Sequence, residues 1–236
     1  MGYKVIFEDN HLLALHKPPG VLVHSDETKD DTLLEWGKKY LKAKYNKPGD
    51  VFLNPVHRID RPASGCVVFA RTSKALSRMN QLIKDREIEK KYVCICTGDL
   101  LKDRGTLRHL LKKDTNLNKT EVKNDPGGKK LPGGWKRSEL DYELIGSSGN
   151  RHLYLIRLKT GRSHQVRAQM SKVGSPILGD VKYKGEKWPN PRAIALHCGE
   201  MNFIHPVRKE ALKIACWPED QGWDYFQPLV RDHIIL

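Results

Sequence analysis

The feature that most restricts the fold is a succession of short apolar runs, each bounded by turn residues. "KVIF", "HLLALHK", "GCVVFART", "KKYVCICTGDL", "SELDYELIGSSGNRHLYLIRLKTG", "AIALHCGEMNFIHP" and "ALKIACWP" follow one another along the chain. Each reads as a strand or a pair of strands, and most joins are hairpin-like, "EDN" early and "GSSGN" later. Few stretches have helical spacing. Residues 31–45 place Leu33, Leu34, Trp36, Tyr40 and Leu41 on one side, with Asp31 or Thr32 as the cap. "SKALSRMNQLIKDREIEKKY" reads as a second helix, capped by Ser73, with Leu76, Met79, Leu82 and Ile83 as its apolar stripe. "SHQVRAQMSKVG" is the third, stopping at Gly174. Many strands and few helices predict an α+β fold with a largely antiparallel sheet.

The chain has 236 residues, which suits one large domain or a compact pair. Hydrophobic residues make up 39%, enough for a sizeable core, so composition excludes a disordered chain. No apolar run approaches the roughly 18 residues a membrane helix needs. The first residues already include Glu8 and Asp9 and are unlike a signal peptide, so a cytoplasmic location is the expectation. The net charge of +14 points to a polyanionic partner, against the plainer reading of a solvated basic surface kept for solubility. Five cysteines without C-x-x-C spacing read as reduced, mostly buried thiols. Cys94 and Cys96 alternate along one strand and share a face. Neither glycine-rich nucleotide motif is present, so a nucleotide cofactor has no support. Residues 112–137, rich in Lys, Asn, Gly and Pro, read as a basic surface insertion, a long hairpin or loop.

Three places carry candidate chemistry. In "NPVHRIDRPASG", Asp60 lies between Arg58 and Arg61, which favour its ionised form. A fixed carboxylate of this kind is a candidate nucleophile and a poor general acid. The same aspartate could instead cap the turn into "RPASG", and the local residues leave both readings open. Tyr92 opens a strand after Lys90 and Lys91, and alone reads as a half-buried strand tyrosine. "LKTGRSHQVRAQM" brings Arg162, His164 and Arg167 to the start of a helix, where amide N–H groups and cations could meet an anion. Alone, His164 is as well read as a structural hydrogen-bond partner. His57, His164 and His197 raise a metal reading, but no H-E-x-x-H or paired Cys/His spacing supports it.

In order, "EDNHLLALHKPPGVLVH", "HRIDRPASG", "KKYVCICTG", "LKTGRSHQVRAQMSKVGSPILGD" and "LHCGEMNFIHP" resemble the motifs of the RluA-type RNA pseudouridine synthases. The resemblance runs from about Val5 to Trp217. It implies a mixed, mainly antiparallel central sheet with flanking helices and a cleft across its middle. It implies one catalytic domain over 1–236 without the family's optional N-terminal RNA-binding module. By position, Asp60 matches the catalytic aspartate, Tyr92 the active-site tyrosine and Arg167 the arginine that pairs with the aspartate. Arg58 matches the arginine that fills the space of the flipped base. Arg61, His57, Arg162, His164 and Lys17 are expected on the RNA side with it. Two positions depart from the pattern: Ile59 replaces the usual Leu and Ala63 the usual Thr. Ile59 conserves volume, while Ala63 lacks a hydroxyl that could brace the loop.

The implied reaction converts a uridine in ribosomal or transfer RNA to pseudouridine after the nucleotide is flipped out. It needs no metal and no organic cofactor. A stem-loop RNA is the expected partner, and a monomer the simpler oligomeric expectation. Two rivals stand beside this reading. One is an RNA-binding module of the same fold without activity. The other is a metal-dependent RNA hydrolase built on His57, His164 and His197.

Overall fold

A computed structural model describes residues 2–25, 31–99, 101–128 and 130–236. Along the chain run β1 (Val5–Glu8), β2 (Leu12–Lys17), α1 (Leu33–Lys44), β3 (Asn54–Pro55), β4 (Ser64–Ala70) and α2 (Ser73–Asp85). Then come β5 (Glu89–Thr97), β6 (Arg104–Asp114), β7 (Lys119–Asn124), β8 (Lys136–Ser148), β9 (Arg151–Leu158) and α3 (Gln165–Lys172). β10 (Leu196–Ile204), β11 (Ala211–Ala215) and α4 (Gln227–His233) complete the chain. The chain divides into two compact units, one of residues 1–90, 197–220 and 234–236, the other of 91–196 and 221–233.

In the first unit β1, β2 and β4 form an antiparallel ladder, running from Leu12 opposite Ala70 to Lys17 opposite Gly65. β10 joins β4 in parallel, with His197 opposite Ser64 and Cys198 opposite Gly65, and β11 pairs antiparallel with β10. β2 and β4 are buried at every position, which is why both read as unbroken apolar runs. Gly65 has a φ of +131°, and a side chain there would start 2.4 Å from the Cys198 carbonyl oxygen. Only glycine lets the two parallel strands approach so closely. α1 turns Leu33, Gly37 and Leu41 inward. The Thr32 hydroxyl accepts from the Glu35 amide, so Thr32 and not Asp31 is its cap.

Thr72, not Ser73, caps α2. Its backbone is extended and its hydroxyl accepts from the Ala75 amide, while Ser73 is already helical. Ala75 and Met79 are the buried positions, and Leu76, Leu82 and Ile83 are half-buried. The helix is shorter than its sequence predicts. Arg86 turns into the left-handed region at φ +63° and the chain enters β5 three residues later.

The second unit is an antiparallel sheet in the order β5-β9-β8-β6-β7. Residues 112–137 form the end of β6, the turn, β7 and its return to β8, with Lys112, Lys113, Lys123, Lys130 and Lys136 exposed. α3 packs beneath this hairpin through Ala168, with Leu111, Tyr183 and Val122. All five cysteines are buried thiols outside any disulfide; those of Cys94 and Cys96 lie 3.7 Å apart on their strand. Among the described residues no helix is long and apolar enough to cross a membrane.

Candidate active site

In the first unit the site is a loop between two strands. β3 ends at Pro55 and β4 begins at Ser64, so Asp60 sits in the connection. The Ala63 amide donates to the Asp60 carbonyl at 3.1 Å, closing a tight turn. Ile59 and Ala63 point inward and anchor it, Asp60 is half-buried, and Arg58 and Arg61 are exposed. A second loop braces the first. The Gly20 amide donates to the Arg61 carbonyl at 2.8 Å, and the Arg61 Nε donates back to the Gly20 carbonyl at 3.0 Å. The "KPPG" bend is therefore bonded to the aspartate loop from both directions.

Lys17 completes the brace and corrects an expectation. It was expected to hold RNA, but its side chain is fully buried. Its ammonium donates to the carbonyls of Pro18, Val21 and Arg61 at 3.1, 2.9 and 3.0 Å. Three protons meet three acceptors, leaving no surface for a phosphate. Burial draws its pKa down to about 7, while Asp60 and Asp220 pull it back up and Arg61 lowers it. A buried amine that is protonated below about pH 7 thus stands behind the Asp60 turn. His57 is also a brace. Its Nε2 accepts from the Val68 amide at 3.1 Å, and burial keeps its pKa well below the usual value, so the ring is neutral.

Beneath β4 the imidazole of His197 is fully buried. Its Nε2 donates to the Cys216 carbonyl at 2.9 Å, which leaves Nδ1 to accept from Ser64 at 2.8 Å. Both ring nitrogens are thereby engaged in holding β4, β10 and the chain after β11. His16 lies beside it with ring centroids 6.0 Å apart. Burial lowers the pKa of each histidine to about 4, so both are neutral at pH 7.

In the second unit β5 carries Tyr92, buried and opposite Ile156 on β9. The segment before α3 is fixed by Gln165. Its Oε1 accepts from the Arg162 amide at 3.0 Å and the Thr160 hydroxyl at 2.8 Å, while its Nε2 donates to the Glu139 carbonyl at 3.0 Å. Arg162 is exposed, with Nε on the Arg137 carbonyl at 3.1 Å. His164 caps α3 in the left-handed region, φ 50°, and its Nδ1 meets the Tyr183 hydroxyl at 2.9 Å. Arg167 is buried and forms a two-pronged pair with Asp180, Nε to Oδ2 at 2.7 Å and Nη2 to Oδ1 at 2.9 Å.

Comparison with known proteins gives the family. The family model described as RNA pseudouridylate synthase matches residues 11–172, which include Asp60, Tyr92 and Arg167. The chain belongs to the RNA pseudouridylate synthase family. The RluA-type resemblance read from its motifs is matched by relatives named for the same activity. It is 31% identical over 220 residues to the ribosomal large subunit pseudouridine synthase C of Buchnera aphidicola (strain Bp), covering 89% of this chain and 65% of that one. It is 30% identical to the tRNA pseudouridine synthase C of Haemophilus ducreyi, over 94% of this chain and 93% of that one. The chain spans about 65% of the length of the Buchnera enzyme and of two further curated pseudouridine synthase relatives, from Bacillus subtilis and Zymomonas mobilis. In fold it matches human RNA Pseudouridylate Synthase Domain Containing 4 with a TM-score of 0.76 at 19% identity, over 98% of this chain and 92% of that one. The α+β class with a mixed, mainly antiparallel sheet is therefore shown.

Within the pseudouridylate synthase family frame, two buried residues stand out that sequence reasoning left without a role, Asp180 and Tyr183. Their signal was the arginine itself: a guanidinium inside a protein needs a carboxylate. Asp180, set after "SPILG", is one of the few acids flanked by apolar residues.

Proposed function

We propose that this protein isomerises a uridine to pseudouridine within ribosomal or transfer RNA, with Asp60 as the nucleophile. The observation that carries the proposal is the braced Asp60 turn, which holds a half-buried carboxylate beside a buried amine in a chain of the pseudouridylate synthase family. The relatives' names supply the substrate class.

Uridine and pseudouridine are isomers. The N1–C1′ bond breaks, C1′–C5 forms, the proton on C5 leaves to solvent and N1 gains one. Nothing is oxidised and no group is donated from outside, so side chains suffice. The reacting atoms lie inside the base stack, so the nucleotide must be extruded, at a few kcal/mol or so. Arg58, exposed and planar, stacks in the gap left by the base. Asp60 attacks C1′ or C6, or takes the C2′ proton on a glycal route; all three use the same ionised carboxylate. By the family motif, Arg167 is the arginine expected to partner the aspartate, and Tyr92 the residue that stacks on the uracil. Arg61 and Arg162, both exposed, hold phosphates, with His57 and His164 bracing the loops that carry them. The catalytic unit is read as a single domain with the 112–137 hairpin as its basic accessory surface.

The test is a pseudouridine map of total RNA from cells lacking the protein. One uridine that loses its modification and regains it with the wild-type gene supports the proposal. A map unchanged by the deletion removes it.

A further inference from the structure

Arg167 and Asp180 are among the most enclosed charges in the second unit, 5% and 1% exposed. Burying such a pair is a poor way to gain stability, because hydrophobic residues of similar volume do as well or better. What the pair does supply is aim. With Nε and Nη2 both held by one carboxylate, the guanidinium cannot rotate in its plane, and planarity then sets the direction of Nη1. The face is fixed as well, since the guanidinium carbon lies 5.1 Å from the centre of the Tyr183 ring. That ring is itself pinned. Its hydroxyl accepts from the Thr120 amide at 2.7 Å and meets His164 Nδ1 at 2.9 Å.

The carboxylate is mounted on an equally rigid turn. The Asp180 amide donates to the Ile177 carbonyl at 3.0 Å, and the Asp180 carbonyl accepts from Tyr183 and Gly185, both at 2.9 Å. Any side chain at Gly185 would start 2.0 Å from the Ile177 carbonyl, so the turn has no slack. The chain from 177 to 185 is built to present one carboxylate to one arginine.

We propose that Asp180 is a positioning residue for uridine isomerisation, acting through Arg167, with Tyr183 as the second wall of the frame. The inference rests on the reading of Arg167 and Asp60 given above. Two substitutions separate aim from charge. Asp180→Glu keeps the charge but moves the carboxylate by one methylene. Asp180→Asn keeps the shape but removes the charge. Activity is read as tritium release from bulk RNA of cells lacking the protein, labelled at uridine C5, with Asp60→Asn run in parallel. A misplacement of about 1 Å lowers kcat on the order of 100-fold. The expected result is that loss for Asp180→Glu with KM for the RNA unchanged, near-ultraviolet circular dichroism unchanged and Asp60→Asn inert. Should Asp180→Asn fail to fold, Asp180→Glu alone decides. Wild-type kcat in Asp180→Glu beside an inert Asp60→Asn overturns the positioning role and leaves the function standing. Full activity in Asp60→Asn overturns the reading of Asp60 itself, a different outcome.

Discussion

At the scale of residues, the decisive pair is Asp60 and Lys17. The lysine does not touch the surface, so its contribution is to the loop and not to RNA affinity. Replacing it with methionine removes three hydrogen bonds and leaves the Pro18 and Val21 carbonyls without this donor, while the Arg61 carbonyl keeps the Gly20 amide; the cost is on the order of 2–3 kcal/mol. Lys17→Met is therefore expected to lower the urea midpoint and the rate of uridine conversion while the RNA dissociation constant stays within about twofold. A loss of affinity with normal turnover would return Lys17 to the RNA side. Gly65→Ala is harsher, because its Cβ would meet the Cys198 backbone at 2.4 Å in a left-handed conformation. A loss of more than about 3 kcal/mol is expected, measured by urea unfolding or by soluble yield. That Asp60 sits on a turn was legible in the sequence, and the Ala63 amide closes that turn on its carbonyl. The inversion of Lys17 was not, because a lysine beside "PPG" reads as exposed, and only the fold shows three carbonyls closing around it. Ala63, which raised the question of a missing hydroxyl, is buried at 1% exposure, so packing anchors this end of the loop.

At the scale of elements, strands were easier to read than helix ends. Fully buried strands such as β2 and β4 announce themselves as continuous apolar runs. Helix ends depend on backbone angles one residue either side of the pattern. The cap of α2 therefore fell on Thr72 instead of Ser73, two hydroxyls with equal chemistry. The 112–137 segment was legible as a hairpin or loop because its charge and glycines leave few large apolar residues to bury. Its contact with α3 through Val122 was not legible, since one apolar residue gives no period. The exposed lysines of this hairpin make a direct prediction. Changing Lys112, Lys113 and Lys123 to glutamine should reduce the salt slope of RNA binding by about 2, at about 0.7 per lost phosphate contact. A slope unchanged in fluorescence titrations between low and moderate salt would mean that this hairpin does not meet the RNA.

At the scale of the whole molecule, buried neutral histidines make stability depend on pH. His16 and His197 have folded-state pKa values of about 4 against an ordinary 6.5. Between those values the unfolded chain binds protons that the folded chain refuses, so acidification favours unfolding. The contribution of these two histidines should be level above pH 6.5 and fall as pH drops toward 4, with His197→Gln flattening the fall, as urea unfolding at each pH between 4 and 6.5 would report. A level profile down to pH 4 would contradict the burial of these rings. The net charge of +14 acts on the same scale and favours a polyanionic partner such as the RNA proposed above. The central claim is that Asp60 breaks the glycosidic bond. It is tested most directly by tritium release from C5-labelled uridine RNA with purified wild-type protein and Asp60→Asn. The account predicts release by the wild type and none by Asp60→Asn, which still binds the RNA with wild-type affinity. Release by Asp60→Asn at the wild-type rate would contradict it.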